Sequence, residues 1–267
     1  MPTLSHHRQG AGPPLVLIHG IGSHWQVWSP ILDALSAKRD VIALDLPGFG
    51  ADPGGPAVTS GGRRGSVGWF ADQVAAFLEE LGIRTPEVAG SSLGGGIALE
   101  LGRRGQAGAV TAFSPVGFWS TPGRLWCQTV VTAARAGATS LAPALPRIMN
   151  STAGRSAFCA PFYARPSHLP ATDALAAAQA LAGAPGFAEA RNAFTRLIPW
   201  SAGNLGALPD IPVTIAWGTR DAILPYRPQS RRARAILPGA RHIPLKGCGH
   251  LPFADDPTTC AALLLPH

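Results

Sequence analysis

Val88-Ala89-Gly90-Ser91-Ser92-Leu93-Gly94 reads as the end of a buried strand, a sharp turn and the first turn of a helix. The turn forces its central residue into a strained backbone conformation. Small residues two positions to either side let strand and helix approach closely. Ser92 is therefore expected at the carboxyl edge of a sheet. The free N–H groups and positive end of the helix that starts at Leu93 point at the same place.

Outward from this turn the chain alternates. On the N-terminal side, 15–19 is a continuous apolar run, as in a strand buried on both faces, and it follows the breakers Gly10, Gly12, Pro13 and Pro14. A helix over 28–37, a strand over 41–44 and a Gly- and Pro-rich loop over 45–65 come next. Ser66 then suits the N-cap of a helix whose stripe is Val67, Phe70, Val74, Phe77, Leu78 and Leu81, ending near Gly82. On the C-terminal side a helix over 93–104 leads to a strand over 109–113.

From 119 to 203 the alternation fails, and Ala-rich helical stretches over 128–136, 172–181 and 187–197 are broken by Pro and Gly. It resumes with a strand over 213–217, a helix over 229–237, a strand over 242–245 and a helix after Asp256. This order predicts an α/β fold: a mostly parallel, doubly wound sheet with right-handed crossovers. Residues 1–118 and 204–267 form its core domain, and 119–203 is a helical insertion.

Three strand ends carry chemistry. A Gly-x-Ser-x-Gly pattern between strand and helix marks Ser92 as a nucleophile. A serine hydroxyl needs a base, and the base needs a carboxylate to hold its tautomer. Asp221 in Trp217-Gly218-Thr219-Arg220-Asp221 and His250 in Gly247-Cys248-Gly249-His250 each follow a predicted strand. Singly, they suit a helix cap and a loop residue; together, in the order Ser, Asp, His, they suit catalysis. His19-Gly20-Ile21-Gly22 is a second Gly-rich turn at the same edge, so the N–H groups of Ile21 and Leu93 are the expected oxyanion donors. The His19 side chain is expected only to shape its turn.

These elements, with Asp45-Leu46-Pro47-Gly48-Phe49-Gly50, resemble the α/β-hydrolase superfamily over nearly the whole chain. The resemblance implies a helical cap over 119–203 and a structural role for the loop at Asp45, which excludes Asp45 from the triad. Family members often begin with a two-stranded hairpin, but only 3–8 is available here, so one strand is expected to be absent. Position 91 is Ser where many relatives carry a larger residue.

The expected activity is hydrolysis of a small-molecule carboxylic ester, thioester or lactone through an acyl-enzyme on Ser92, without metal or organic cofactor. Carbon–carbon bond hydrolases of ring-cleavage products are the nearest rival, although they commonly place Trp after the catalytic His, where this chain has Leu251. A ligand-binding member that does not turn over is a further alternative. Trp25 is the candidate wall of the acyl pocket, with His24 beside it, whereas Trp28 and the aromatics Trp119, Trp126, Phe158, Phe162 and Tyr163 read as packing. Cys248 also reads as packing.

The net charge of +7 comes mainly from arginines in small separated groups such as Arg63 with Arg64 and Arg103 with Arg104, which argues for a solvated surface and against nucleic acid. Cys127, Cys159, Cys248 and Cys260 lack metal or disulfide spacing and are expected to be free thiols. No run approaches the roughly 20 apolar residues of a membrane span, and no export signal is evident, so a cytoplasmic location is expected.

Overall fold

A computed structural model describes residues 4–52 and 63–265; part of the loop expected over 45–65 thus lies outside the described residues. Among the described residues seven strands pair in one sheet: β1 (His6–Gln9), β2 (Pro14–Ile18), β3 (Asp40–Leu44), β4 (Glu87–Ser91), β5 (Ala109–Phe113), β6 (Val213–Gly218) and β7 (Arg241–Leu245). Their spatial order is β1-β3-β2-β4-β5-β6-β7. Only β1, at the edge, runs antiparallel to its neighbour, and a single strand precedes β2 among the described residues.

The core strands are apolar on both faces, as a sheet covered on both sides requires. In β2, Val16 and Ile18 join one cluster with α2 (Val67–Glu80) and α3 (Leu93–Arg103), while Leu15 and Leu17 join another with α1 (Ser29–Ser36). Ser66 caps α2 by accepting the Trp69 N–H at 3.1 Å, and the apolar stripe of that helix is buried as its spacing predicts. Between β5 and β6 lie α4 (Thr121–Ser140), α5 (Leu145–Asn150), α6 (Thr152–Cys159), α7 (Ala171–Gly183) and α8 (Phe187–Ala193). Val131, Leu181, Phe187 and Phe194 from this segment belong to the same cluster as the sheet. A smaller cluster of Leu145, Met149, Cys159, Leu169, Ala174 and Ala178 packs it internally. The chain closes with α9 (Tyr226–Ile236) and α10 (Pro257–Ala262), whose N-cap Asp256 accepts the Thr259 N–H at 3.1 Å.

Helix α4 runs further in both directions than the 128–136 its sequence suggested. Ser120 caps it by accepting the Gly123 N–H, and Pro122 sits in its first turn, where a missing N–H costs nothing. The four cysteines are free and buried. Arg103 and Arg104 pair with Glu100, and Arg104 also with Asp72, so part of the basic surface is locally neutralised.

Candidate active site

Ser92 stands between β4 and α3 with φ 56° and ψ −113°, the strained conformation expected of the turn. Its flanking glycines are required by contact: a Cβ on Gly94 would lie 2.1 Å from the Ile18 carbonyl oxygen, and one on Gly90 would lie 2.0 Å from the Gly94 carbonyl oxygen. The turn is held from behind, because the Ser92 N–H donates to the Phe113 carbonyl at 2.9 Å and the Ser92 carbonyl accepts the Val116 N–H at 3.1 Å.

The turn after β2 lies against this serine, since a Cβ on Gly20 would be 3.1 Å from the Ser92 Cβ. His19 is fully buried and anchors that turn: its Nε2 accepts the Leu46 N–H at 3.0 Å and its Nδ1 lies 2.7 Å from the Gly20 carbonyl. Burial pushes its pKa down to about 4, so it is neutral and its 3.9 Å approach to Asp45 is not an ion pair. Asp45 instead accepts the Trp25 N–H at 2.8 Å and the Ala51 N–H at 2.9 Å, knitting two loops together. The carboxylate that bonds to His250 is that of Asp221. Because unfolded imidazole binds its proton near pH 6.5 and His19 does so only near pH 4, stability should be present above pH 6.5 and fall as pH drops toward 4. The loss from this group is about 3 kcal/mol. Urea titrations at pH 7 and pH 4.5 should show it, with a flatter dependence in His19→Gln.

Asp221 and His250, 29 residues apart in sequence, meet: His250 Nδ1 lies 2.8 Å from Asp221 Oδ2, and both side chains are buried. The other oxygen of Asp221 accepts the N–H groups of Ile223 at 2.9 Å and Leu224 at 2.8 Å, so the carboxylate is fixed before it engages the imidazole. Ser92, His250 and Ile21 wall one cavity of about 60 Å³, lined otherwise mainly by apolar side chains such as Val131, Phe158, Phe162, Leu181 and Ile223. Among the described residues no hydrogen bond joins the Ser92 hydroxyl to His250; in unliganded sites of this kind that contact is commonly long.

Two expectations need correction. Trp25 does not wall this cavity, because its indole stacks on His7 of β1, 4.3 Å between ring centroids. Phe158, Phe162 and Tyr163, read as packing residues, do wall it, whereas Trp119 packs on Phe194 as expected and Trp126 donates to the Ala222 carbonyl at 2.8 Å. Hydrophobic spacing gives the same signal for a side chain that packs and one that faces a cavity. Cys248 is buried in the cluster beside α1, and burial pushes its thiol up to about 11.

Sequence reasoning missed Asp255. Its buried carboxylate accepts the N–H groups of Gly249 at 2.8 Å, Ala164 at 3.0 Å and Arg165 at 2.8 Å, while the Leu251 N–H donates to the Phe162 carbonyl at 2.9 Å. The loop bearing His250 is thereby bolted to the segment between α6 and α7. The available signal was the pair Asp255-Asp256, since a helix N-cap needs only one of them. Asp255→Asn sets an amide N–H against a backbone donor in a buried place and should destabilise by about 2 kcal/mol. Thermal unfolding should register this as a melting point roughly 5 °C lower.

A mostly parallel sheet that places a serine turn and a hydrogen-bonded His–Asp pair at one edge defines an α/β hydrolase. The chain belongs to the alpha/beta hydrolase family, whose model matches residues 15–263. It is 29% identical to an uncharacterized protein of Mycobacterium tuberculosis over 93% of this chain and 73% of that protein. It is also 40% identical to a pimeloyl-[acyl-carrier protein] methyl ester esterase of Aeromonas hydrophila, over 37% of this chain and 35% of that enzyme. A putative aryl esterase from Burkholderia cenocepacia shares the fold at a TM-score of 0.73 and 24% identity, over 98% of this chain and 92% of the other. A meta-cleavage product hydrolase does so at 0.72 and 22%, with the same coverage. Among the described residues no helix is long and apolar enough to cross a membrane.

Proposed function

We propose that this hydrolase cleaves a carboxylic ester, or the related thioester or lactone, through an acyl-enzyme on Ser92. The observation that carries the reading is the 2.8 Å Asp221–His250 bond at the wall of the cavity that Ser92 enters. Ser92 Oγ attacks the carbonyl carbon while His250 takes its proton, and Asp221 holds the imidazole in the tautomer that can accept it. Negative charge then forms on the carbonyl oxygen. The N–H groups of Ile21 and Leu93 receive it, the latter at the positive end of α3. Collapse expels the leaving group with the proton from His250, and water, activated by the same base, opens the acyl-enzyme. Helices α4–α8, within 119–203, serve as a cap that closes the apolar wall.

The test is a panel of esters, thioesters and lactones together with a fluorophosphonate probe. Turnover of at least one class, and probe attached stoichiometrically to the peptide bearing Ser92, are expected. Labelling without any turnover would instead favour a binding role. Turnover confined to a ring-cleavage product would favour carbon–carbon bond hydrolysis.

A further inference from the structure

Helix α7 presents Ala174, Ala177, Ala178 and Leu181 to the cavity of Ser92 and His250. Spaced three and four apart, they lie along one face of the helix. Of the four only Leu181 is larger than alanine, and it is buried.

Leu181 stands on the oxyanion turn. A Cβ on Gly22 would lie 2.3 Å from the Leu181 Cδ1, so glycine is required there both by that contact and by its φ of 68°. Gly22 directly follows Ile21, the proposed oxyanion donor, and a Cβ on Gly20, at the start of the same turn, would be 3.1 Å from the Ser92 Cβ. One short turn therefore links Leu181 to the nucleophile. A different part of the wall belongs to the base. Leu251 follows His250 and donates its N–H to the Phe162 carbonyl at 2.9 Å, while the Ile223 N–H donates to Asp221. Phe162, Ile223 and Leu251 all wall the cavity.

The reaction divides an ester between these parts. The Ser92 Oγ–carbonyl carbon bond forms and the carbonyl carbon–alkoxy oxygen bond breaks. The proton that His250 took from Ser92 passes to the departing alkoxy oxygen, which must then lie at the imidazole. The carbonyl oxygen turns to the N–H groups of Ile21 and Leu93. The acyl chain is the substituent that remains, and the wall left for it is the one that Leu181 builds over the turn. Water then releases the acid. The cavity, about 60 Å³, has space for about four water-sized groups at roughly 15 Å³ each, which suits a carbonyl and a short chain.

We propose that Leu181 sets the length of the acyl chain and that the substrate class is an ester of a short, unbranched acid no longer than about butyrate. This rests on the serine hydrolase reading above.

The test reads kcat/KM for methyl esters from acetate to octanoate, and for acetates of alcohols from methanol to hexanol, in the parent, Leu181→Ala and Leu181→Val. The parent should turn octanoate over at least tenfold more slowly than butyrate. Leu181→Ala removes the isopropyl group from the wall, so its octanoate-to-butyrate ratio should rise on the order of tenfold, the effect of a methylene gained in an apolar pocket. Its hexyl-to-methyl acetate ratio should stay within about twofold of the parent's. Because Leu181 also belongs to the main core cluster, Leu181→Val, which keeps most of that packing, should show a smaller rise in the same direction and carries the test if the alanine variant does not fold. A parent that prefers octanoate, a ratio unmoved in a folded variant, or a change confined to the alcohol series overturns the proposal while leaving the serine mechanism intact. Failure of the parent to hydrolyse any ester, thioester or lactone overturns both.

Discussion

Replacing Ser92 by alanine is expected to lower kcat for the best ester by about a millionfold, the loss seen when the nucleophile of a comparable triad enzyme is removed. The fold should survive. Ser92 already occupies its strained backbone position with a Cβ in place, and the contacts that hold the turn are made by its N–H and carbonyl. The melting point of Ser92→Ala should therefore match the parent, fluorophosphonate labelling should vanish, and the small residual rate should reflect the backbone N–H donors and substrate binding alone. Turnover within tenfold of the parent would remove Ser92 from the chemistry and leave only the scaffold.

Asp221→Asn should cost about ten-thousandfold in kcat with little change in structure. The oxygen that accepts the Ile223 and Leu224 N–H groups can be supplied by the amide, so the turn persists. The face toward His250 Nδ1 becomes an N–H donor in place of an acceptor. That drives the imidazole proton to Nε2, the nitrogen that must be empty to receive the serine proton. Melting point and kcat should thus separate, the first held and the second lost. A variant that keeps a tenth of the parent's rate would show that the carboxylate is not what orients the base.

The sheet and its strand ends were legible because each depends on short-range pattern. The apolar runs over 15–19 and 109–113 coincide with strands to within a residue, and the glycines at 90 and 94 stand where a Cβ would run into the Gly94 and Ile18 carbonyls as β4 turns into α3. What the sequence withheld is set by side-chain direction. Phe162 and Tyr163 occur in a segment without regular periodicity, so nothing local tells a cavity wall from packing. Trp25 sits a few residues after the Gly20 turn, yet β1 offers His7 to stack on, an edge-strand contact that spacing does not encode. Asp255 resembles a helix cap in sequence; its role depends on backbone amides about 90 residues away in the chain.

The carboxylate of Asp255 also limits how this enzyme can breathe. Because the backbone at 164–165 and at Gly249 share one buried anion, any swing of that stretch drags the imidazole with it and disarms the site. The stretch at 162–165 and the histidine loop should therefore move as one unit, whereas α7 walls the same cavity from outside that unit.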